Sequence, residues 1–281
     1  MLSAPRHAES VHDTEEPVAY EQVLYEVRGA VALLWHSRPE RRNAESRQLL
    51  DELDAALAEA VADEAVRVIV FAGKGDHFSA GHDLKEAQES RGNFTVEERW
   101  AYEEKRYFEY CLRIMDCPKP TIASVQGACI AGGFMVANMC DLIIAADDAI
   151  FADPVAHTLG AAAVEVLIHP WVLGTRKAKE LLFTGERLGA AEAHRVGMVN
   201  RVVPRAELEA ATIALADRIA LAPPFALTLL KRSINRAVDM QGLRTSLQAH
   251  FDTHQLSHVT EAFKAARDAG LAKAIQSGKK A

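Results

Sequence analysis

The stretch Val66–Phe71, VRVIVF, constrains the fold more than any other part of this sequence. It is short, β-branched and almost without polar interruption, which is the pattern of a strand covered on both faces. Such a strand requires neighbours at its edges and layers above and below it. A glycine-bearing loop, Gly73 to Gly81, follows. The order of events then repeats: Thr121 to Val125 reads as a strand, Gly127 as a turn, Gly132-Gly133 as the opening of a helix, and Leu142 to Ala146 as another strand. Upstream, Val23 to Trp35 reads as two strands around Arg28-Gly29. Ala44 to Val61 carries Leu49, Leu50, Leu53, Leu57 and Val61 at helical spacing. A charged helix is expected from Val96 to Met115, stopping before Cys117-Pro118-Lys119-Pro120, and further helices over Arg176–Phe183 and Ala190–Val196, with a strand at Val199–Val203. This alternation predicts an α/β protein with a partly parallel sheet. From Ala206 onward the periodicity is helical only, so an all-helical appendage is expected there.

Charge narrows the range of partners. The 281 residues carry 32 basic and 39 acidic side chains, a net charge of −7, so the basic excess of a phosphate-neutralising protein is missing and nucleic acid is not an expected partner. Cys111, Cys117, Cys129 and Cys140 form no C-x-x-C pair, which fits a reduced cytoplasm. Residues 1–20 lack an apolar core and read as a flexible tail rather than a signal peptide. The uncharged stretch Pro120 to Cys140 contains Thr121, Ser124, Gln126, Asn138 and three glycines, and is read as buried strand, turn and helix, with no membrane partner.

Two strand-to-helix turns could carry chemistry. In Phe78-Ser79-Ala80-Gly81-His82-Asp83-Leu84, small residues after a buried strand leave amide N–H groups unpaired. In Gly127 to Phe134, glycines open a helix whose first amides have no internal acceptor. Two such amides converging on one point would hold an oxyanion, although small residues at strand ends also serve packing alone.

Both turns, together with RPERRNA at 38–44, VRVIVFAGKGDHFSAGHDLKE at 66–86, KPTIASVQGACIAGG at 119–133, MCDLIIAADDAIFADP at 139–154 and RKAKELLFTGERLGAAEAHRVGMVNRVVP at 176–204, resemble the enoyl-CoA hydratase/isomerase (crotonase) superfamily from about Tyr25 to Phe263. The resemblance implies a crotonase-like spiral of ββα units over 21–204 and a helical oligomerisation region over 205–281 that builds a homotrimer or homohexamer. It implies an acyl-CoA thioester substrate, no cofactor beyond the CoA of that substrate, and no metal. It assigns the backbone N–H groups of His82 and Gly132 to an oxyanion hole, with the His82 imidazole as a pocket wall rather than a base. Arg41, Arg42, Ala80, Lys231 and Phe251 fall where the family contacts CoA; as plain sequence they are surface charges, a small residue, a snorkelling lysine and a core aromatic.

The departures matter equally. The two glutamates that handle water in the family's hydratases correspond here to Met135 and Val155, which line the substrate pocket but cannot transfer a proton. Glu165 and His169, spaced i, i+4, would meet on one helical turn and could act as the acid/base pair, or they could be a local cap and a helix end before Pro170. Asp153 is expected to fix a turn. His250, His254 and His258 share a helical face, read as solvated or interfacial rather than metal-binding. The expected function is therefore an acyl-CoA enzyme of the hydratase/isomerase type with non-standard acid/base residues. A non-catalytic acyl-CoA binding protein, a thioester hydrolase and a C–C bond-cleaving enzyme remain alternatives on the same scaffold.

Overall fold

The computed structural model describes residues 20–271, so all but the last residue of the expected tail lies outside the described residues, as does the end of the helical region. Two sheets organise the chain. The larger runs β1 (Val23–Arg28), β2 (Val31–His36), β3 (Val68–Gly73), β4 (Thr121–Val125), β6 (Leu142–Ala146) and β9 (Arg201–Val203). The smaller runs β5 (Ala128–Ile130), β7 (Ile150–Ala152) and β8 (Leu188–Gly189). β1 and β2 form an antiparallel hairpin about Gly29, whose φ of 59° suits a residue without Cβ, and β2, β3, β4, β6 and β9 are parallel throughout.

The expected spiral is visible in β4–β5 followed by the helix Gly132–Met139, and in β6–β7 followed by the short helix Val155–Thr158. Each of these two turns gives one strand to either sheet and then a helix. β2 and β3 are buried along their whole length, as the apolar run at 66–71 requires. One face of the large sheet packs on the Arg47–Ala62 and Glu109–Asp116 helices through Leu53, Phe71, Ile114 and Phe134. Its other face is covered by the helix Leu208–Ala220 through Leu208, Ala216 and Ala220. The C-terminal region is thus helical as expected, but its first helix is a layer of the core rather than an appendage.

The charged helix predicted for 96–115 forms as Val96–Glu103 and Glu109–Asp116, joined by a π-helical turn at Glu104–Phe108. A residue inserted this way rotates the side chains that follow, and such turns are frequent at functional sites. Here it carries Tyr107 into the site described below. Among the described residues no single helix is long and apolar enough to cross a membrane.

Candidate active site

Two loops are tied together by one rung of parallel pairing. Ser79 pairs with Cys129, with Ser79 N–H donating to Ala128 O at 3.0 Å and Ile130 N–H donating to Ser79 O at 3.0 Å. Three residues further along each loop stand His82 and Gly132. Close approach demands glycine at Gly81, which has φ 83° and where a Cβ would lie 2.7 Å from Ile130 O and 3.3 Å from the Gly132 nitrogen. On the opposite loop Ala131 adopts φ 49°, a left-handed value that a Cβ disfavours, just before the helix Gly132–Met139 begins. Three nearby amides are engaged: Glu45 N–H on Gly81 O, Asp83 N–H on Glu45 O, Ala131 N–H on Ala152 O. The amides of His82 and Gly132 meet no acceptor among the described residues.

The His82 imidazole is gripped from both sides. Its Nδ1 lies 3.2 Å from Glu45 Oε2 and its Nε2 2.9 Å from Glu165 Oε1, while its ring stacks on Tyr107 at 4.0 Å between centroids. Glu45 and Glu165 are both buried. Burial alone would depress the imidazole, but the Glu165 charge and the hydrogen bonds from Glu165 and Glu45 outweigh it and push His82 up to about 10. Burial would raise Glu165, yet the charge and hydrogen bond of His82 hold its carboxyl below the usual range. The centre at neutral pH is therefore an imidazolium facing the Glu165 carboxylate, with Glu45 hydrogen-bonded on its other side. A second tier lies behind it: His254 Nε2 is 3.9 Å from Glu165 Oε1 and 3.5 Å from Glu103 Oε2, and His258 Nδ1 is 3.8 Å from Glu103 Oε2. His82, Glu165, Glu103, His254 and His258 border one cavity, closed elsewhere largely by apolar side chains such as Leu84 and Val164.

Glu103, His254 and His258 hold ligand-type atoms all within 4.8 Å of one another. The donor set fits a divalent cation poorly, because Arg99 pairs with Glu103 at 3.2 Å and Gln255 donates to its Oε2 at 2.8 Å. A guanidinium would sit beside the ion and an amide proton already occupies the ligating oxygen.

Several sequence expectations change. Glu165 and His169 do not share a helical turn: Pro170 lies in the first turn of a helix that starts only at His169, and the preceding chain is irregular, with Ala163 at φ 62°. Glu165 turns to His82, whereas the buried His169 stacks on Phe134 at 4.5 Å and lies 3.2 Å from Asp153 Oδ2. Asp153 fixes the turn, accepting from Val155 and Val164 N–H. The His82 ring does line the cavity, as expected of a pocket wall, and it also joins Glu45 to Glu165. His254 is 3 % exposed and His250 bonds Val164 O at 2.8 Å, so this face points inward rather than to solvent.

The remaining candidates are dispersed. Met135 is buried, its sulfur receiving Val166 N–H at 3.3 Å, and Val155 lines the cavity. Arg42 and Ala80 are joined by Ala80 N–H on Arg42 O at 3.0 Å and border a separate cleft with Ile130 and Pro154, while Arg41 is exposed nearby. Lys231 is buried against Asp141 at 2.8 Å, and Phe251 packs in the core between Trp100 and Phe108. Sequence reasoning missed Glu45, Glu103 and Tyr107. Only Glu45 left a signal, as the residue directly after the RPERRNA segment.

Comparison with known proteins agrees with this architecture. The family described as enoyl-CoA hydratase/isomerase matches residues 26–273. EchA13, an enoyl-CoA hydratase homologue of Mycobacterium tuberculosis, is 42% identical over 264 residues, covering 87% of this chain and 83% of its own. The mitochondrial enoyl-CoA hydratase of Pongo abelii is 32% identical over 227 residues, covering 79% and 75%. The crystal structure of an enoyl-CoA hydratase/isomerase from Xanthobacter autotrophicus superposes with a TM-score of 0.87 at 36% identity, covering 93% of this chain and 98% of that one. With the spiral of ββα units, the paired glycine loops and these relatives together, the chain belongs to the enoyl-CoA hydratase/isomerase (crotonase) superfamily.

Proposed function

We propose that this protein catalyses proton transfer on an acyl-CoA thioester, of the isomerase kind, with Glu165 and His82 in place of the missing glutamates. The observation that carries the reading is the His82 imidazole hydrogen-bonded to Glu45 and Glu165, on a residue whose own amide, like that of Gly132, meets no acceptor among the described residues. The N–H groups of His82 and Gly132 receive the thioester oxygen. A proton leaves a carbon of the acyl chain for a Glu165 oxygen, the electron pair delocalises onto the oxygen held by the amides, and the proton returns at a different carbon. Fixed amides are suited to this because they stabilise charge where it develops, without reorganisation. Protonated His82 keeps Glu165 ionised and places positive charge beside the developing enolate. One buried carboxylate that takes and returns a proton suits isomerisation better than hydration, which needs separate groups for water and for carbon. Arg42 and Ala80 are assigned to the CoA moiety, no metal takes part, and the protein works in the cytoplasm as a homotrimer or homohexamer.

The test is turnover of 3-enoyl- and 2-enoyl-CoA thioesters together with solvent deuterium exchange into the acyl chain. Double-bond migration with exchange is expected. A second reading, a non-catalytic acyl-CoA binding protein, draws on the apolar Met135 and Val155. Tight binding without exchange on any thioester would favour it.

A further inference from the structure

Among the described residues the cavity's carboxylates, Glu103 and Glu165, each have a cationic or N–H partner, but one cation there has no anionic one. Arg91 ends the helix Leu84–Arg91, is 4 % exposed, and borders the same cavity as His82 and Glu165. It is the one arginine in the buried set among the described residues, and its Nε and Nη2 meet no acceptor. These two nitrogens form the edge of the guanidinium that forks a carboxylate. Three other arginines of this chain use that same edge: Arg28 on Glu26, Arg113 on Asp54 and Arg195 on Glu192. Around Arg91 the other charged wall residues are already committed, Arg99 to Glu103 and Arg267 to Asp268.

What does touch Arg91 cannot replace a counter-ion. The guanidinium lies over the Tyr102 ring, 4.5 Å from its centroid, an attraction that leaves the N–H groups unsatisfied. Tyr102 packs edge-on to Tyr107 at 6.2 Å, and Tyr107 stacks on His82, so a stack of two rings links Arg91 to the imidazole. The Tyr102 hydroxyl is buried without a partner among the described residues and adds a donor. A desolvated cation with its bidentate edge unused calls for an anion brought by the ligand. Much of the remaining wall is apolar, with Leu84, Ala87, Val155 and Leu159 suited to methylene groups.

We propose that the acyl group received here ends in a carboxylate held by the Nε–Nη2 edge of Arg91, so that the substrate is the CoA monothioester of a short dicarboxylic acid. This rests on the acyl-CoA reading above and adds the chemistry of the far end of the chain. The test is calorimetric binding of succinyl-, glutaryl- and adipyl-CoA to the full-length protein, each against the neutral saturated thioester of matching length. At least one dicarboxylic thioester should bind about tenfold or more tightly than its neutral partner, the scale of a charge-assisted hydrogen-bonded pair. Arg91→Met should erase that preference while leaving the neutral thioester bound, and Arg91→Lys should retain part of it. If Arg91→Met fails to fold, the methyl ester of the preferred thioester, measured on the natural protein, removes the charge instead and should bind like the neutral compound. Neutral thioesters binding as tightly as dicarboxylic ones would overturn this inference and leave the acyl-CoA reading standing. Failure of every CoA thioester to bind would overturn both.

Discussion

The Glu45 carboxylate occupies the space that a side chain on Gly132 would need. A Cβ built on Gly132 falls on Glu45 Oε2 and lies 2.8 Å from His82 Nδ1. The glycine is therefore required twice, for its amide and for the room it leaves to a buried charge pair. Gly132→Ala should lower the melting temperature as an overpacked core does, by about 1–3 kcal/mol of stability, and abolish most turnover. In the double variant with Glu45→Ala part of the stability should return, and strictly additive losses in a thermal melt would refute the contact.

His82→Ala and Glu165→Gln should each reduce kcat by about 10² to 10⁴-fold while affinity for a non-reactive acyl-CoA analogue stays nearly constant. Steady-state kinetics beside calorimetry separates the two effects. His169→Ala, which removes a buried ring from Phe134, should act on the melting temperature instead of kcat.

Stability should fall at alkaline pH in part through His82. Because His82 is raised in the folded protein to about 10 from an ordinary value of 6.5, its contribution is complete below about 6.5 and disappears as pH rises through about 10. Glu165, held low, acts in the opposite sense: its contribution is present above the ordinary carboxylate range and is lost as pH falls through its lowered value. Denaturant midpoints measured from pH 6 to pH 10 should decline, and His82→Gln should flatten that decline.

The helix Pro224–Asp239 leaves Phe225, Leu229, Leu230 and Ile234 exposed. Contiguous apolar surface of this kind marks an association site. Sedimentation should show a trimer or hexamer, and Leu230→Glu should shift it toward monomer without changing the circular dichroism spectrum.

How far the sequence could be read follows from the range of each interaction. The hairpin at Gly29, the buried β3 and the helix opening at Gly132 rest on local periodicity and glycine placement, and all were legible. The charge cluster was not, because His82 reaches Glu45 across 37 positions and Glu165 across 83. No spacing rule spans such gaps. Glu165 meets His82 instead of the expected His169, since an i, i+4 interval implies contact only where the chain is helical, and the helix begins at His169. The inward turn of His254 was hidden for a related reason: helical spacing names a face without saying what that face meets.

The single rung between Ser79 and Cys129 has a consequence for how this family of chains can change length. Both reactive loops are counted from that rung, and His82 and Gly132 come level because the two counts are equal. A residue inserted into one loop alone would carry its amide past the other and turn the following side chain to the opposite side. Insertions and deletions in these loops must therefore be matched across the pair.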